Sequence, residues 1–211
     1  MTVSHVEVLV EEQSMQAALQ DLLPRILGSI SVVVHAHQGK RDLLGKLPSR
    51  LRGYARWITE SYRIVVIVDR DDDDCHELKA RLEAMAASAD LATRSSTPDP
   101  GSIRVIPRIA IEELESWYFG DWQAVRTAYP AVPREVITKR GFRDPDAIRG
   151  GTWEAFERVL QKAGYFAGGL SKIEAARKIA PHMDPERNRS ASFCALRDAL
   201  VECRSSASKR P

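Results

Sequence analysis

Residues 64–74 read Ile-Val-Val-Ile-Val-Asp-Arg-Asp-Asp-Asp-Asp. Five β-branched residues in a row, too few for a helix, predict a strand covered on both faces, as in a parallel sheet. The strand ends on Asp69, and four of the five residues after it are aspartates. A helical pattern follows over 75–88, with Leu78, Leu82, Met85 and Ala86 on one face. Upstream, Val-Glu-Val-Leu-Val at 6–10 predicts a first strand, which runs into Glu11 and Glu12. Residues 15–27 have helical spacing, with Ser14 as the expected N-cap and Pro24 as a kink or early stop. Ile30 to His35 predicts a second strand, and 40–59 a basic helix striped by Leu43, Leu44, Leu47, Leu51 and Tyr54 and interrupted by Pro48. Downstream, a polar loop over 93–101 leads to a strand from Ile103 to Ile111, where Pro107 points to an edge position or a bulge. A helix is expected from about Glu112.

This alternation predicts an α/β protein with a mostly parallel four-stranded sheet flanked by helices. Prolines and glycines punctuate the rest, and helical patterns recur at 153–163, 171–180 and 190–203. The expected organisation is an α/β core over 1–128, a helical C-terminal part over 129–203 and a flexible tail over 204–211.

The chain has 211 residues, 44% hydrophobic and 28% charged, which fits one globular domain with a sizeable core. No apolar run approaches the ~20 residues of a membrane helix. Three cysteines, Cys75, Cys194 and Cys203, form neither a disulfide framework nor a metal-type pair. With no secretory apolar segment at the start, they predict a cytoplasmic protein. The net charge of +2 hides segregation: residues 1–23, 24–63, 64–130 and 131–211 carry −4, +6, −6 and +6. An acidic centre between basic blocks suits a metal site beside a polyanion, although charge blocks also arise on solvated faces that never meet.

Two strands end in carboxylates, Glu11 after the first and Asp69 and Asp71 after the third. In an open parallel sheet, ligands sit beyond the carboxyl ends of the strands where the strand order reverses. The order 2-1-3-4 makes strands one and three neighbours and brings these acids together. Clustered carboxylates demand a cation, and hard oxygen donors suit Mg²⁺ or Mn²⁺. Asp72, Asp73 and Asp74 are read instead as caps of the following helix.

Other chemistries are weaker. Gly39-Lys40 is not a phosphate-binding loop, because Val34 stands where the motif needs glycine and Arg41 follows the lysine. Lys40, Arg41, Lys46, Arg50, Arg52 and Arg56 can track a phosphate backbone or simply face solvent. His35 and His37 are read as structural, Cys75 as a buried thiol, and Trp117, Trp122, Trp153 and Phe193 as core.

The ordered set of a strand-terminal Glu, a strand-terminal Asp-x-Asp and a later acid resembles the Toprim fold of primases, topoisomerases and overcoming-lysogenization-defect nucleases. More closely, the chain resembles the DUF4276 group of bacterial Toprim-like proteins. The matching stretches are Leu9-Val-Glu-Glu-Gln-Ser14, Gly39-Lys40, Val68 to Cys75, Glu113-Leu-Glu-Ser-Trp117 with Asp121, Lys172, and Arg189-Ser-Ala-Ser-Phe193. The resemblance implies Glu11, Asp69 and Asp71 as catalytic residues, and these three with Glu115 as metal ligands, Glu113 being the alternative to Glu115. It implies nucleic-acid contacts from Lys40, Arg41, Arg50, Lys172 and Arg189. Glu12 stands where the family usually has glycine, which alters the turn and adds a fifth acid to crowd the site.

The implied function is a Mg²⁺-dependent nuclease acting on DNA or RNA. The implied setting is bacterial anti-phage defence beside a separate ABC- or AAA-type ATPase, with a homo-oligomer left open. Two other classes remain: a non-catalytic module that docks on a partner ATPase, and a nucleotidyl or phosphoryl transferase. Tyrosine-based transesterification is not expected, since no tyrosine sits in a recognisable context.

Overall fold

The computed structural model describes residues 2–205. Strands β1 (His5–Val10), β2 (Ser31–Ala36), β3 (Tyr62–Asp69) and β4 (Val105–Ala110) form one sheet in the order β2-β1-β3-β4. All three pairings are parallel. This is the order anticipated from the sequence, and it puts β1 beside β3 at the point where the chain's winding reverses.

The apolar run of β3 is buried from Arg63 to Val68. Its side chains alternate between two cores, as strand geometry requires. Val65 and Ile67 join Val6, Val8 and Val10 against helix α1 (Gln13–Leu27). Ile64, Val66 and Val68 join Leu9 under helices α2 (Lys40–Ala55) and α3 (Cys75–Ala87).

Several boundaries differ from the sequence expectation. The N-cap position of α1 is Glu12, not Ser14; Ser14 lies inside the helix and its Oγ donates to Glu12 Oε2 at 3.2 Å. Pro24 does not end α1, which continues to Leu27, and α2 likewise runs through Pro48 but stops at Ala55. Each proline removes one N–H, but the leucines around it stay buried on the sheet and keep the helix in place. Only Asp74 caps α3, accepting from the N–H groups of His76 and Glu77. The last strand is shorter than expected and lies at the edge, where Pro107 leaves no inner ladder bond unmade. The next helix, α4 (Glu115–Gly120), starts after a turn in which Glu112 holds φ +62. Helix α5 (Trp122–Ala128) follows at once.

The C-terminal part contributes α6 (Thr152–Lys162), α7 (Lys172–Ile179) and α8 (Ala191–Ser205). Helices α7 and α8 pack on α1, so Ala176, Ile179, Phe193, Leu196 and Leu200 share the core that holds β1. Arg204, expected to open the tail, lies within α8 and donates to the Ile26 carbonyl at 2.9 Å. The rest of the expected tail, 206–211, lies outside the described residues. Gly120 is required by close approach: a Cβ there would stand 2.1 Å from Asn188 Oδ1 and 2.8 Å from the Ser190 nitrogen. Among the described residues no helix is long and apolar enough to cross a membrane.

Candidate active site

Glu11 follows β1, Asp69 ends β3, and Glu113 and Glu115 follow β4, so three neighbouring strands deliver acids to one rim. The Glu11 carboxylate reaches across to β3, where its Oε1 accepts the Asp69 N–H at 2.8 Å. Glu11 is 6% exposed and Glu115 is 1% exposed. Asp69 Oδ1 and Glu115 Oε2 are sealed from solvent with no hydrogen-bond partner.

Burial and mutual repulsion disfavour the ionised forms of these groups. Burial raises the Glu11 carboxyl to about 7, against the Asp69 N–H bond and the charge of Lys40. Burial raises Glu115 to about 7, against the charge of Lys172. Asp69 is held well above the usual carboxylate range, by burial first and then by the charges of Glu11, Glu115, Asp71 and Glu113. Glu113 is raised more modestly by burial; its Oε2 accepts the Trp153 N–H at 3.0 Å.

Two lysines face this group. Lys172, the first residue of α7, lies 3.5 Å from Glu113 and stands over the Trp153 ring at 5.3 Å from its centroid. Burial opposes its charge, but the fields of Glu115, Glu113, Glu12 and Asp69 hold its pKa above the ordinary value. Lys40 donates to the Arg70 carbonyl at 3.0 Å and to Asp71 Oδ2 and Asp73 Oδ2, both at 2.8 Å.

The expected site residues are therefore placed unequally. Glu11, Asp69 and Glu115 gather at the rim. Asp71 is on the adjoining loop at φ +48, with its carboxylate turned onto Lys40. Asp73 is paired with Lys40 rather than capping α3. Of the basic residues, Lys172 stands among the acids and Lys40 bridges their loop. Arg41 is exposed in the first turn of α2, and Arg50 is half-buried further along it. Arg189 is exposed, and its N–H donates to the Gly120 carbonyl at 3.0 Å. Ser190 and Ser192 bind Asp146, at 2.8 and 3.0 Å, which ties the 146 loop to the start of α8. The histidines have structural partners: His35 Nε2 lies 2.6 Å from Glu7 Oε2, and His37 Nδ1 lies 2.9 Å from the Val10 carbonyl oxygen. Cys75 is half-buried rather than buried.

Three features of the site were missed in the sequence. Trp153 is only partly buried and carries Lys172 on its face. The pair Gly150-Gly151, at φ +79 and +82, aims the start of α6 at Glu113; adjacent glycines ahead of a helical pattern were the available signal. Tyr118 follows Glu115 by three residues on α4, and its hydroxyl is sealed without a partner. The i, i+3 spacing could have revealed that neighbour.

Magnesium is the ion the resemblance implies, and the donor set can be tested against it. Two sealed carboxylate oxygens without partners, amid raised carboxyls, fit a hard divalent cation. Among the described residues, however, no three His, Cys, Asp or Glu side chains already stand in ligand geometry. Two grooves flank the acids: one lined by Glu12 to Ser14, His37 to Gly39 and Leu170 to Ile173, the other by Arg70 to Asp73, Glu112 and Asp146 to Gly150.

A pH dependence follows. A carboxyl raised in the fold keeps a proton that the unfolded chain has lost, so its contribution to stability declines as pH rises. For Glu11 and Glu115 the decline runs from the usual 4.5 through about 7, and such a shift is worth on the order of 3 kcal/mol per group. Metal-free protein is expected to need less urea to unfold at pH 8 than at pH 5.5. Mg²⁺ should recover stability more at pH 8, because binding displaces protons. In Glu115→Gln the decline should be visibly smaller; an unchanged slope would remove Glu115 from the titrating set.

The family model described as "Domain of unknown function (DUF4276)" matches residues 10–201. Among solved structures, the chain is similar to the C-terminal region of the OLD protein of Xanthomonas campestris pv. campestris. The identity is 13%, the match covers 97% of this chain and 98% of that one, and the TM-score is 0.50. That likeness is one of fold. No curated protein matches the chain.

Proposed function

We propose, from the premise that this chain belongs to the DUF4276 family, that its acidic rim is the centre of a Mg²⁺- or Mn²⁺-dependent nuclease acting on DNA or RNA. The observation that carries the reading is the meeting of Glu11, Asp69 and Glu115, from three separate strand ends, with two sealed carboxylate oxygens lacking partners. Asp69 and Glu115 would hold the ion, with Glu11 beside them, and Asp71 would join only on release from Lys40. When bound, such an ion lowers the pKa of water and stabilises the departing oxygen.

The chain's own groups do the rest. Glu11, with a carboxyl near 7, takes the proton of the attacking water and returns one to the leaving sugar oxygen as the P–O bond breaks. Lys172 and Lys40 supply positive charge beside carboxylates that would otherwise repel the phosphate. The flanking grooves offer a path for the strand. Lys40 is engaged with acids, so ATP chemistry is assigned to a separate ABC- or AAA-type ATPase, in a cytoplasmic anti-phage system. Purification from the native host without any such ATPase would count against that partner.

A second reading is favoured by one observation. No three-ligand set is preformed among the described residues, and Asp71 is locked to Lys40. On that reading the rim is a regulatory module that docks on the ATPase. Incubation with plasmid, single-stranded DNA and tRNA, in Mg²⁺, Mn²⁺ or EDTA, separates the two. Cleavage that EDTA abolishes is the expected result. Binding without turnover, with the ATPase present, would favour the docking module, and incorporation of labelled nucleotide would favour a transferase.

A further inference from the structure

A cavity of about 220 Å³ runs along the outer edge of β4, toward the N-terminal ends of the strands and away from the acids. Helix α3 borders it with Lys79 and Glu83, and α8 with Ala199, Glu202 and Cys203. Its apolar wall is aliphatic, built from Ile103, Val105 and Ile106 with Pro100 and Pro107.

Two guanidiniums line it without an acid partner. Arg63 is 3% exposed. It donates to the carbonyls of Glu60, Tyr62 and Gly101 at 2.7, 2.8 and 3.4 Å. Arg108 donates to the carbonyls of Ala195 and Pro107 at 3.1 and 2.9 Å. Among the described residues, neither has a carboxylate at ion-pair distance, and Glu202 is paired with Arg94. Burial works against the charge of both, yet a guanidinium stays protonated in proteins. With Lys79 and Arg94 the lining carries four cations against Glu83 and Glu202, a surplus of positive charge that an anion relieves.

The shape narrows the occupant. Pro107 has no N–H, so an added strand could not complete a ladder on this edge. Among the described residues no aromatic ring lines the cavity, so a nucleobase has nothing there to stack on. The volume is below the roughly 300–1,000 Å³ of drug-sized sites. We propose that this cavity binds a small aliphatic anion, its carboxylate or phosphate head held by Arg108, the charge of Arg63 adding to the field, and its chain lying on Ile103, Val105 and Ile106. The proposal does not depend on the nuclease reading, and its test has no activity readout.

Calorimetric titration of the full chain tests it with octanoate and octyl phosphate, against 1-octanol, which lacks the charge, and inorganic phosphate, which lacks the chain. At least one anionic probe should bind saturably at one site per chain, and both controls about tenfold or more weaker. The preferred head identifies the ligand as a carboxylate or a phosphate. Arg108→Gln should weaken binding about tenfold or more. Ala199→Met, which fills the cavity and keeps the charges, should weaken it too and decides the matter if Arg108→Gln does not fold. Absence of saturable binding by both anions overturns the proposal. So does equal binding of 1-octanol, or affinity unchanged in every variant that folds.

Discussion

Asp69→Asn should abolish metal-dependent cleavage and, in the same protein, raise the stability of the metal-free fold. Asp69 sits at the end of β3 with one oxygen sealed and without a partner. It is surrounded by Glu11, Glu115, Asp71 and Glu113, whose charges add to burial in disfavouring its ionised form. Replacing the carboxyl by an amide keeps the shape and removes the repulsion. A gain of about 1–3 kcal/mol at pH 8 is expected, the scale of removing one uncompensated buried charge. Loss of an electrostatic contact to the reacting groups costs about 10²–10³ in rate. Opposite signs for activity and stability mark a group held in place for function rather than for folding. Initial cleavage rates and urea midpoints on the same preparation measure both. Retained cleavage would take Asp69 out of the chemistry, and an inactive but less stable variant would make it a structural residue.

Asp121→Ala should act in the reverse sense. Asp121 lies within the stretch that carries the family resemblance, but the structure puts it in a scaffold. Its side chain is fully buried, and Arg187 grips both oxygens, at 2.7 and 2.8 Å. It also accepts the N–H groups of Asp184 at 2.7 Å and Ala124 at 3.3 Å. It thereby joins α5 to the segment leading into α8, beside Gly120, where no Cβ fits. Arg187 is 36% exposed and can be taken up by water, so the cost is that of buried N–H groups losing their acceptor, about 1–3 kcal/mol. The urea midpoint should fall by that amount. Activity per folded molecule, assayed with and without Mg²⁺ well below the transition, should be unchanged. A stable but inactive Asp121→Ala would move the residue into the active site.

The two aspartates show how differently a motif can be read. Asp69 was legible because an unbroken apolar run ends on it, and a strand that ends at a switch point aims its last side chain at the crevice. Asp71 shares the motif but not the position: a left-handed turn at Asp71 and the reach of Lys40 carry its carboxylate away. Neither effect is a local preference, since Lys40 comes from the far side of β1. The cap expected at Ser14 failed for a similar reason. Ser14 is a good capping residue, yet the helix starts where Glu12 leaves β1, as the core under α1 dictates.

What the amino-acid order determined by itself was the α/β class, the parallel sheet and the acids that end its first and third strands. These follow from the length and periodicity of apolar runs, which act within a few residues and need no distant partner. Only the tertiary structure decided which acids lose water and partners, which lysine faces them, and that Arg63 and Arg108 share one cavity. Desolvation and pairing depend on groups far apart in the chain, and no local pattern of residues encodes how much solvent packing removes from each.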